Sequence, residues 1–353
     1  MSQIRTPIPG FVDLQVNGYL GVDFSSPDLT EHDFVRVCRA LLAQGTAAFL
    51  PTLITSPVAT YERNLPMIAS IMDREEFRGR LLGFHIEGPF LSPEPGARGA
   101  HRSEYMPGVD LALAERIFDW ADGKVRLLTV AAELPGVDAL IRMARERGAA
   151  VSIGHSLFTE EDLDRASATG ATALTHLGNG LPNLLDRHRN PIWAGLADDR
   201  YVAMLITDGH HLPPSLIKTA VRAKGASRMI VVSDASALAG MPPGRYEVGG
   251  LETVLEESGR LYIPARQCLF GSSATMVECM NYLAGLDLLN LDELLAAGFY
   301  NPLRLIDLEP DVVAVDHQLL YDTQSRTFTV EPFGPHAPAR PGARTDPGTR
   351  RAC

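Results

Sequence analysis

The chain has 353 residues, 45% of them hydrophobic and 21% charged, and a formal net charge of −11. That length and apolarity allow one large α/β domain, or one domain with a small appendage, and exclude global disorder. The acidic balance argues against nucleic acid as the main partner, although a few local Arg or His residues can still hold a small phosphorylated substrate.

Taken in order, Phe11–Val16 reads as a first buried strand closed by Asn17-Gly18, and Thr30-Glu31-His32-Asp33 as the start of a helix to Gln44. Residues 46–52 form a second strand, 58–73 a helix and 81–87 a third strand, stopped by Gly88-Pro89. Residues 91–106 are rich in Pro, Gly and Ala without a period, and loops of that length in compact domains are usually functional or mobile. A helix over Leu111–Trp120, a strand over Val125–Val130 and a helix over 137–147 follow. A fifth strand ends at His155, a helix capped by Thr159 runs to Ala168, and a sixth strand ends at His176. A second long loop, 178–193, carries Asp186, Arg187, His188 and Arg189. Strand seven, Val202–Ile206, leads into Thr207-Asp208-Gly209-His210-His211, then a helix opened by Leu212-Pro213-Pro214, then strand eight, which delivers Asp234.

Eight strands alternating with helices imply parallel pairing and are enough to close a (β/α)₈ TIM barrel over residues 1–310. The rival is an open doubly wound sheet. It would carry a Gly-rich phosphate turn after strand one, where Asn17-Gly18-Tyr19 stands instead. Beyond strand eight, 246–263 reads as a hairpin-like excursion, Gly271-Ser272-Ser273 as the start of a helix to Leu286, and 291–298 as another helix. A short β appendage is expected over 311–331 and a disordered Pro-, Arg-, Gly- and Ala-rich tail over 332–353. The cysteines Cys38, Cys268, Cys279 and Cys353 form no CxxC, which fits a reducing compartment and a metal site without thiolates. No stretch resembles a signal peptide or reaches the ~20 apolar residues of a membrane span, so a soluble cytoplasmic protein is expected.

The chemistry concentrates at the strand ends. Glu87, His155, His176 and Asp234 each stand where a buried strand meets a loop, and a barrel puts all those ends on one rim. A single strand-end His is more often structural than a ligand. Three N and O donors together leave a coordination position open, as a catalytic Zn²⁺ site does. Such an ion makes water a hydroxide source near neutral pH, and Asp234 is placed to take the proton and pass it to a leaving amine. The plainer alternatives are a helix cap for Asp234 and a buried ion pair for Glu87.

These residues carry a resemblance. The stretches Pro9-Gly10-Phe11-Val12-Asp13-Leu14-Gln15-Val16-Asn17-Gly18, His85-Ile86-Glu87-Gly88-Pro89-Phe90, Gly99-Ala100-His101 and Gly154-His155-Ser156 come first. Thr175-His176-Leu177-Gly178-Asn179-Gly180, Asp208-Gly209-His210-His211, Ser233-Asp234-Ala235-Ser236-Ala237-Leu238-Ala239-Gly240 and Gly271-Ser272-Ser273-Ala274-Thr275-Met276 follow. Together they resemble the amidohydrolase superfamily and, within it, the N-acetylglucosamine-6-phosphate deacetylases. The resemblance implies that Glu87, His155 and His176 bind the metal and that Asp234 is general base, then acid. His211 would polarise the amide carbonyl, with the neighbouring His210 as the alternative. Ala100, His101, Asn179, Gly180, Leu269, Phe270 and Gly271 would line the sugar pocket. Arg187 would reach the phosphate, in family members from across a homodimer interface, with His188 and Arg189 as alternatives.

Two departures from the family's pattern carry expectations. Many amidohydrolases have His-x-His after strand one and bind two metals, whereas Gln15-Val16-Asn17 stands here, so one divalent ion is expected, Zn²⁺ before Fe²⁺, Co²⁺ or Mn²⁺. Gln15 would hold the water instead. The family brackets its barrel with a small β-sandwich whose first half precedes strand one. Here strand one begins at Phe11, so at most a vestigial appendage is expected. The expected reaction is deacetylation of N-acetylglucosamine 6-phosphate. Alternatives are N-acetylgalactosamine 6-phosphate, an unphosphorylated N-acyl sugar or another amide, and, from another class, a non-catalytic sugar-phosphate-binding barrel.

Overall fold

The eight buried runs become eight parallel strands, β1 (Phe11–Val16), β2 (Thr46–Ile54), β3 (Phe84–Glu87), β4 (Val125–Val130), β5 (Ala150–Ile153), β6 (Ala171–Leu174), β7 (Val202–Ile206) and β8 (Met229–Val232). They are hydrogen-bonded in that order in a computed structural model that describes residues 5–315 and 317–332. The helices α1 (Glu31–Leu42), α2 (Val58–Met72), α3 (Leu111–Trp120), α4 (Val137–Glu146), α5 (Glu160–Thr169), α6 (Pro191–Ala197), α7 (Pro214–Lys224) and α8 (Met276–Gly285) alternate with the strands. The result is a (β/α)₈ barrel.

The ring is fastened differently at its last seam. Between β8 and β1 there is no regular ladder. A lone bridge joins Val16 to Ala235, and the Asn17 amide donates to the Ala235 carbonyl at 2.8 Å. The buried Asp13 carboxylate supplies the rest, accepting from the Ser233 amide at 3.1 Å and from the Ser233 hydroxyl. Burial pushes the Asp13 pKa up to about 7, against the Ser233 hydrogen bonds that lower it.

Val12, Leu14, Ala48, Leu50, Leu127, Ala150, Met204, Ile206, Ile230 and Val232 fill the barrel interior. Phe299, Leu303 and Ile306, from the helical stretch after α8, join that cluster beside Leu82 and Val202 and stopper the end where the strands begin. The opposite end, where the strands stop, stays open.

Several elements differ from expectation. Arg5–Ile8 forms a lead strand, paired antiparallel with His317–Asp322, which pairs in turn with Thr327–Pro332. The appendage is therefore a three-stranded sheet drawn from both ends of the barrel. The lead strand is short and contains Pro7, which an edge position tolerates because one side needs no ladder donor. Phe328 anchors this sheet, its ring 5.0 Å from that of Phe11 and its amide bonded to Asn281 of α8.

The excursion after β8 is a four-stranded sheet, Gly244–Val248, Leu251–Leu255, Leu261–Ile263 and Cys268–Leu269, with Leu238, Leu255 and Leu261 as its own small core. Helix α6 cuts short the expected 178–193 loop, and its signal was present: Asn190 caps it and Pro191 takes the first turn. Helix α8 starts at Met276 rather than Gly271, because Thr275 and Glu278 form a capping box. The tail beyond residue 332 lies outside the described residues. Among the described residues, no helix is long and apolar enough to cross a membrane.

Candidate active site

Glu87 is the last residue of β3, while His155, His176 and Asp234 lie just past β5, β6 and β8. The last three have left-handed backbones, with φ of 48°, 32° and 50°. That conformation costs a non-glycine residue about 1–3 kcal/mol and persists only where the surroundings enforce it. Around Asp234 the enforcement is explicit. Its carbonyl accepts from the Ser272 amide at 2.8 Å, and the Ser272 carbonyl accepts from Ser236 at 2.9 Å. Gly271 is required beside it, since a Cβ there would lie 2.8 Å from the Asp234 carbonyl oxygen. Gly180 is required for a similar reason, because its Cβ would meet His155 Nδ1 at 2.7 Å.

Three ligand atoms converge. Glu87 Oε1 lies 3.0 Å from His176 Nε2 and 3.4 Å from His155 Nε2, and the two imidazole nitrogens are 3.2 Å apart. Zn²⁺ holds N and O donors at about 2.0–2.2 Å in a tetrahedron, which sets donor–donor edges near 3.4 Å. The three residues therefore fit a divalent ion. His155 Nδ1 faces the Ala97 carbonyl at 2.7 Å, which fixes its proton there and turns the Nε2 lone pair to the centre. All three side chains are buried.

Asp234 joins through amides. Gln15 Nε2 donates to Glu87 Oε1 at 2.9 Å and to Asp234 Oδ1 at 3.0 Å, and Asn17 Nδ2 donates to Asp234 Oδ1 at 2.6 Å. The electrostatics separate the two carboxylates. Burial alone would raise the Glu87 pKa, but hydrogen bonds from His155 and His176 hold it well below the usual carboxylate range. Burial, reinforced by the Glu87 charge, pushes Asp234 up to about 6. One carboxylate is thus a permanent anion and the other a base poised near neutrality.

His211 is held by Asp208, whose Oδ2 lies 2.8 Å from Nδ1 and whose Oδ1 accepts both the His210 and His211 amides at 2.9 Å. His210 also lines the cavity, but its Nε2 is on the Ser258 carbonyl at 3.0 Å. His101 is buried beside the Glu87, His155 and His176 cluster, with Nε2 3.2 Å from His155 Nε2 and Nδ1 3.0 Å from Thr55 Oγ1. Burial and the neighbouring His155 depress its pKa to about 3, so it is neutral. His85, two residues before Glu87, bonds Thr129 at 2.8 Å on the inner wall and takes no part.

A cavity of about 430 Å³ opens over this centre, within the range of about 300–1,000 Å³ usual for small-molecule sites. Ala100, His101, Asn179, Gly180, Leu269, Phe270 and Gly271 all line it. Arg187 is exposed and does not. Sequence reasoning missed the wall residues Asp23, Arg260 and Arg266, and also the supports Thr55 and Ala97. Asp208 and Asn17 were legible in their motifs, although their roles were not.

An N₂O donor set and an adjacent carboxylate at the open end of a (β/α)₈ barrel define the site of a metal-dependent hydrolase. Residues 6–315 match the model of the amidohydrolase family. The chain is 33% identical over 311 residues to the N-acetylglucosamine-6-phosphate deacetylase of Bos taurus, covering 85% of this chain and 74% of that one. It is 28% identical over 303 residues to the N-acetylgalactosamine-6-phosphate deacetylase of Escherichia coli O157:H7, covering 85% and 78%. A variant N-acetyl-D-glucosamine-6-phosphate deacetylase from Mycobacterium smegmatis, solved in complex with N-acetyl-D-glucosamine-6-phosphate, superposes with a TM-score of 0.82 at 27% identity, covering 93% of this chain and 86% of that one. The chain belongs to the amidohydrolase family and, within it, to the N-acetylglucosamine-6-phosphate deacetylases.

Proposed function

We propose that the protein hydrolyses the N-acetyl amide of N-acetylglucosamine 6-phosphate, giving glucosamine 6-phosphate and acetate. The observation that carries this reading is the convergence of Glu87 Oε1, His155 Nε2 and His176 Nε2 beside an Asp234 that is bonded into the same cluster. Held by those three residues, a divalent ion would polarise the amide carbonyl and acidify water to near neutral pH. Asp234, ionised above about pH 6, accepts the proton of the attacking water. His211, its Nδ1 held by the Asp208 carboxylate, is the side chain that would stabilise the developing oxyanion. As the C–N bond breaks, the proton on Asp234 passes to the leaving nitrogen, so the amine departs neutral and the base is regenerated.

Gln15 bears on the metal count. Its amide N–H group sits between Glu87 and Asp234, where a second ion would need lone pairs, and a donor cannot ligate. This supports one ion per chain, and the N₂O set suits Zn²⁺, with Fe²⁺, Co²⁺ or Mn²⁺ as alternatives that metal analysis decides. Ala100, His101, Asn179, Gly180, Leu269, Phe270 and Gly271 would hold the sugar. Arg187 could reach a phosphate only in a neighbouring subunit of a homodimer, because in its own chain it stands outside the cavity. The N-acetylgalactosamine relative favours the galacto epimer as the second reading. A panel of both N-acetylhexosamine 6-phosphates and their unphosphorylated forms, read by released amine, tests the proposal. Fastest turnover of N-acetylglucosamine 6-phosphate supports it, and turnover of none of the four refutes it.

A further inference from the structure

We infer that Arg266 binds the anionic group of the substrate from within the same chain. The inference rests on the deacetylase reading above and deepens it by naming a phosphate contact on the cavity's own wall.

The body of this protein is acidic, and the cavity wall already carries Asp23, Glu87 and Asp234. An anion entering there needs a local positive charge to offset them. Two arginines, Arg260 and Arg266, are the lysine or arginine residues on that wall. Arg260 is committed elsewhere. It stacks 4.6 Å over the Tyr262 ring, pairs with Glu256 at 3.5 Å, and its side chain is 48% exposed.

Arg266 is different. Its Nη1 donates to the Ala100 carbonyl at 2.7 Å and to the His101 carbonyl at 3.2 Å, and both acceptors are neutral. No ion pair to Arg266 is found among the described residues. Glu104 feels its charge but pairs with Arg102 at 2.9 Å. A half-buried guanidinium with uncompensated charge therefore faces the substrate cavity, with Nε and Nη2 left for the paired contacts that suit phosphate oxygens.

Its mounting is rigid. Arg266 ends the tight turn Pro264–Arg266 between the strands Leu261–Ile263 and Cys268–Leu269, and Gln267 closes the turn with a φ of 51°. Ile263 beneath it is fully buried. Both carbonyls it grips belong to wall residues, and the His101 imidazole reaches to 3.2 Å from the metal ligand His155. Arg266 is thus tied to the same stretch of wall that carries His101.

The test compares kcat/KM for phosphorylated and plain N-acetylglucosamine in R266Q, R266A, R266K and R187A. Glutamine removes the charge and, being two bonds shorter, also the contact of Nη1 with the two carbonyls, so the plain sugar is the control for the structural part of the loss. Loss of a charge-assisted contact lowers the phosphorylated-to-plain ratio at least about tenfold in R266Q and R266A, mainly through KM. R266K recovers part of that ratio, and R266Q lowers it in an R187A background as well. The inference is overturned if the ratio holds in R266Q and R266A. It is also overturned if both sugars lose rate in parallel, which would mean that Arg266 only pins Ala100 and His101, or if the ratio collapses in R187A alone. Equilibrium binding of glucosamine 6-phosphate against glucosamine gives an independent readout. If the wild type turns over neither sugar, the deacetylase reading fails. A preference for the phosphorylated ligand that R266Q abolishes would still uphold the anion site, and a preference that R266Q leaves intact, or no preference, would overturn it.

Discussion

Replacing Asn17 with Ala tests whether Asp234 is the proton acceptor. Asn17 Nδ2 donates to Asp234 Oδ1 at 2.6 Å and is one of the groups that keep this buried carboxyl, at about 6, from rising further. Hydrogen bonds to charged groups contribute about 1.5–3 kcal/mol. At 1.36 kcal/mol per pH unit, full loss would raise the Asp234 pKa by about 1–2. Gln15 retains its own bond to the same oxygen, and water can enter beside the half-buried Asn17, so a rise of about 1 is expected. The direction follows from the role. A base works ionised, so kcat/KM climbs with pH through the pKa of the free enzyme. Removing a donor to the carboxylate disfavours the ionised form, and the acid limb moves to higher pH. The assay is kcat/KM from pH 5 to 9 by amine release. N17A should lose about tenfold on the acid side and approach wild type on the alkaline side. A limb that stays where it was, with a uniform loss at every pH, would refute the reasoning and reduce Asn17 to a structural residue.

Asp234→Asn should lower turnover by at least about 10²–10⁴-fold while metal analysis still finds the ion, and near-normal activity would remove Asp234 from the mechanism. Glu87→Gln should lose the metal, because it removes the carboxylate at the centre of the cluster, and undiminished metal content would break the proposed ligand set. Wild-type protein should hold one metal equivalent, lose activity to a chelator and regain it with Zn²⁺. A measured two equivalents would contradict the role given to the Gln15 amide. Phe328→Ala should cost about 3–5 kcal/mol of stability, since that ring is 2% exposed and packs edge-on to Phe11. Denaturant melts giving less than about 1 kcal/mol would mean the appendage does not brace the barrel.

The eight strands were legible because each is a short apolar run with turn residues at both ends, and β1, β4 and β7 begin and end where the pattern placed them. Glu87, His155, His176 and Asp234 were legible because a polar residue directly after such a run stands at the barrel mouth. The lead strand Arg5–Ile8 was not, since its partner lies more than 300 residues away and no local period announces an edge strand containing Pro7. Arg266 was equally hidden. Nothing in Pro264-Ala265-Arg266-Gln267 marks a wall residue until the four-stranded excursion folds back over Ala100 and His101. Thr55 and the Ala97 carbonyl orient two imidazoles through contacts 46 and 58 residues away in sequence, a separation that no window of the chain reveals.

The join between β8 and β1 is the one in the cylinder without a regular ladder, and it carries Asp234 together with the amides that steady it. Gentle heating or dilute denaturant that parts those two strands would disarm Asp234, the proposed proton acceptor, while the other seven joins still hold. Catalytic half-life would then be set by this one fastening, and changes that stiffen the protein elsewhere would raise its melting temperature without making it a longer-lived catalyst.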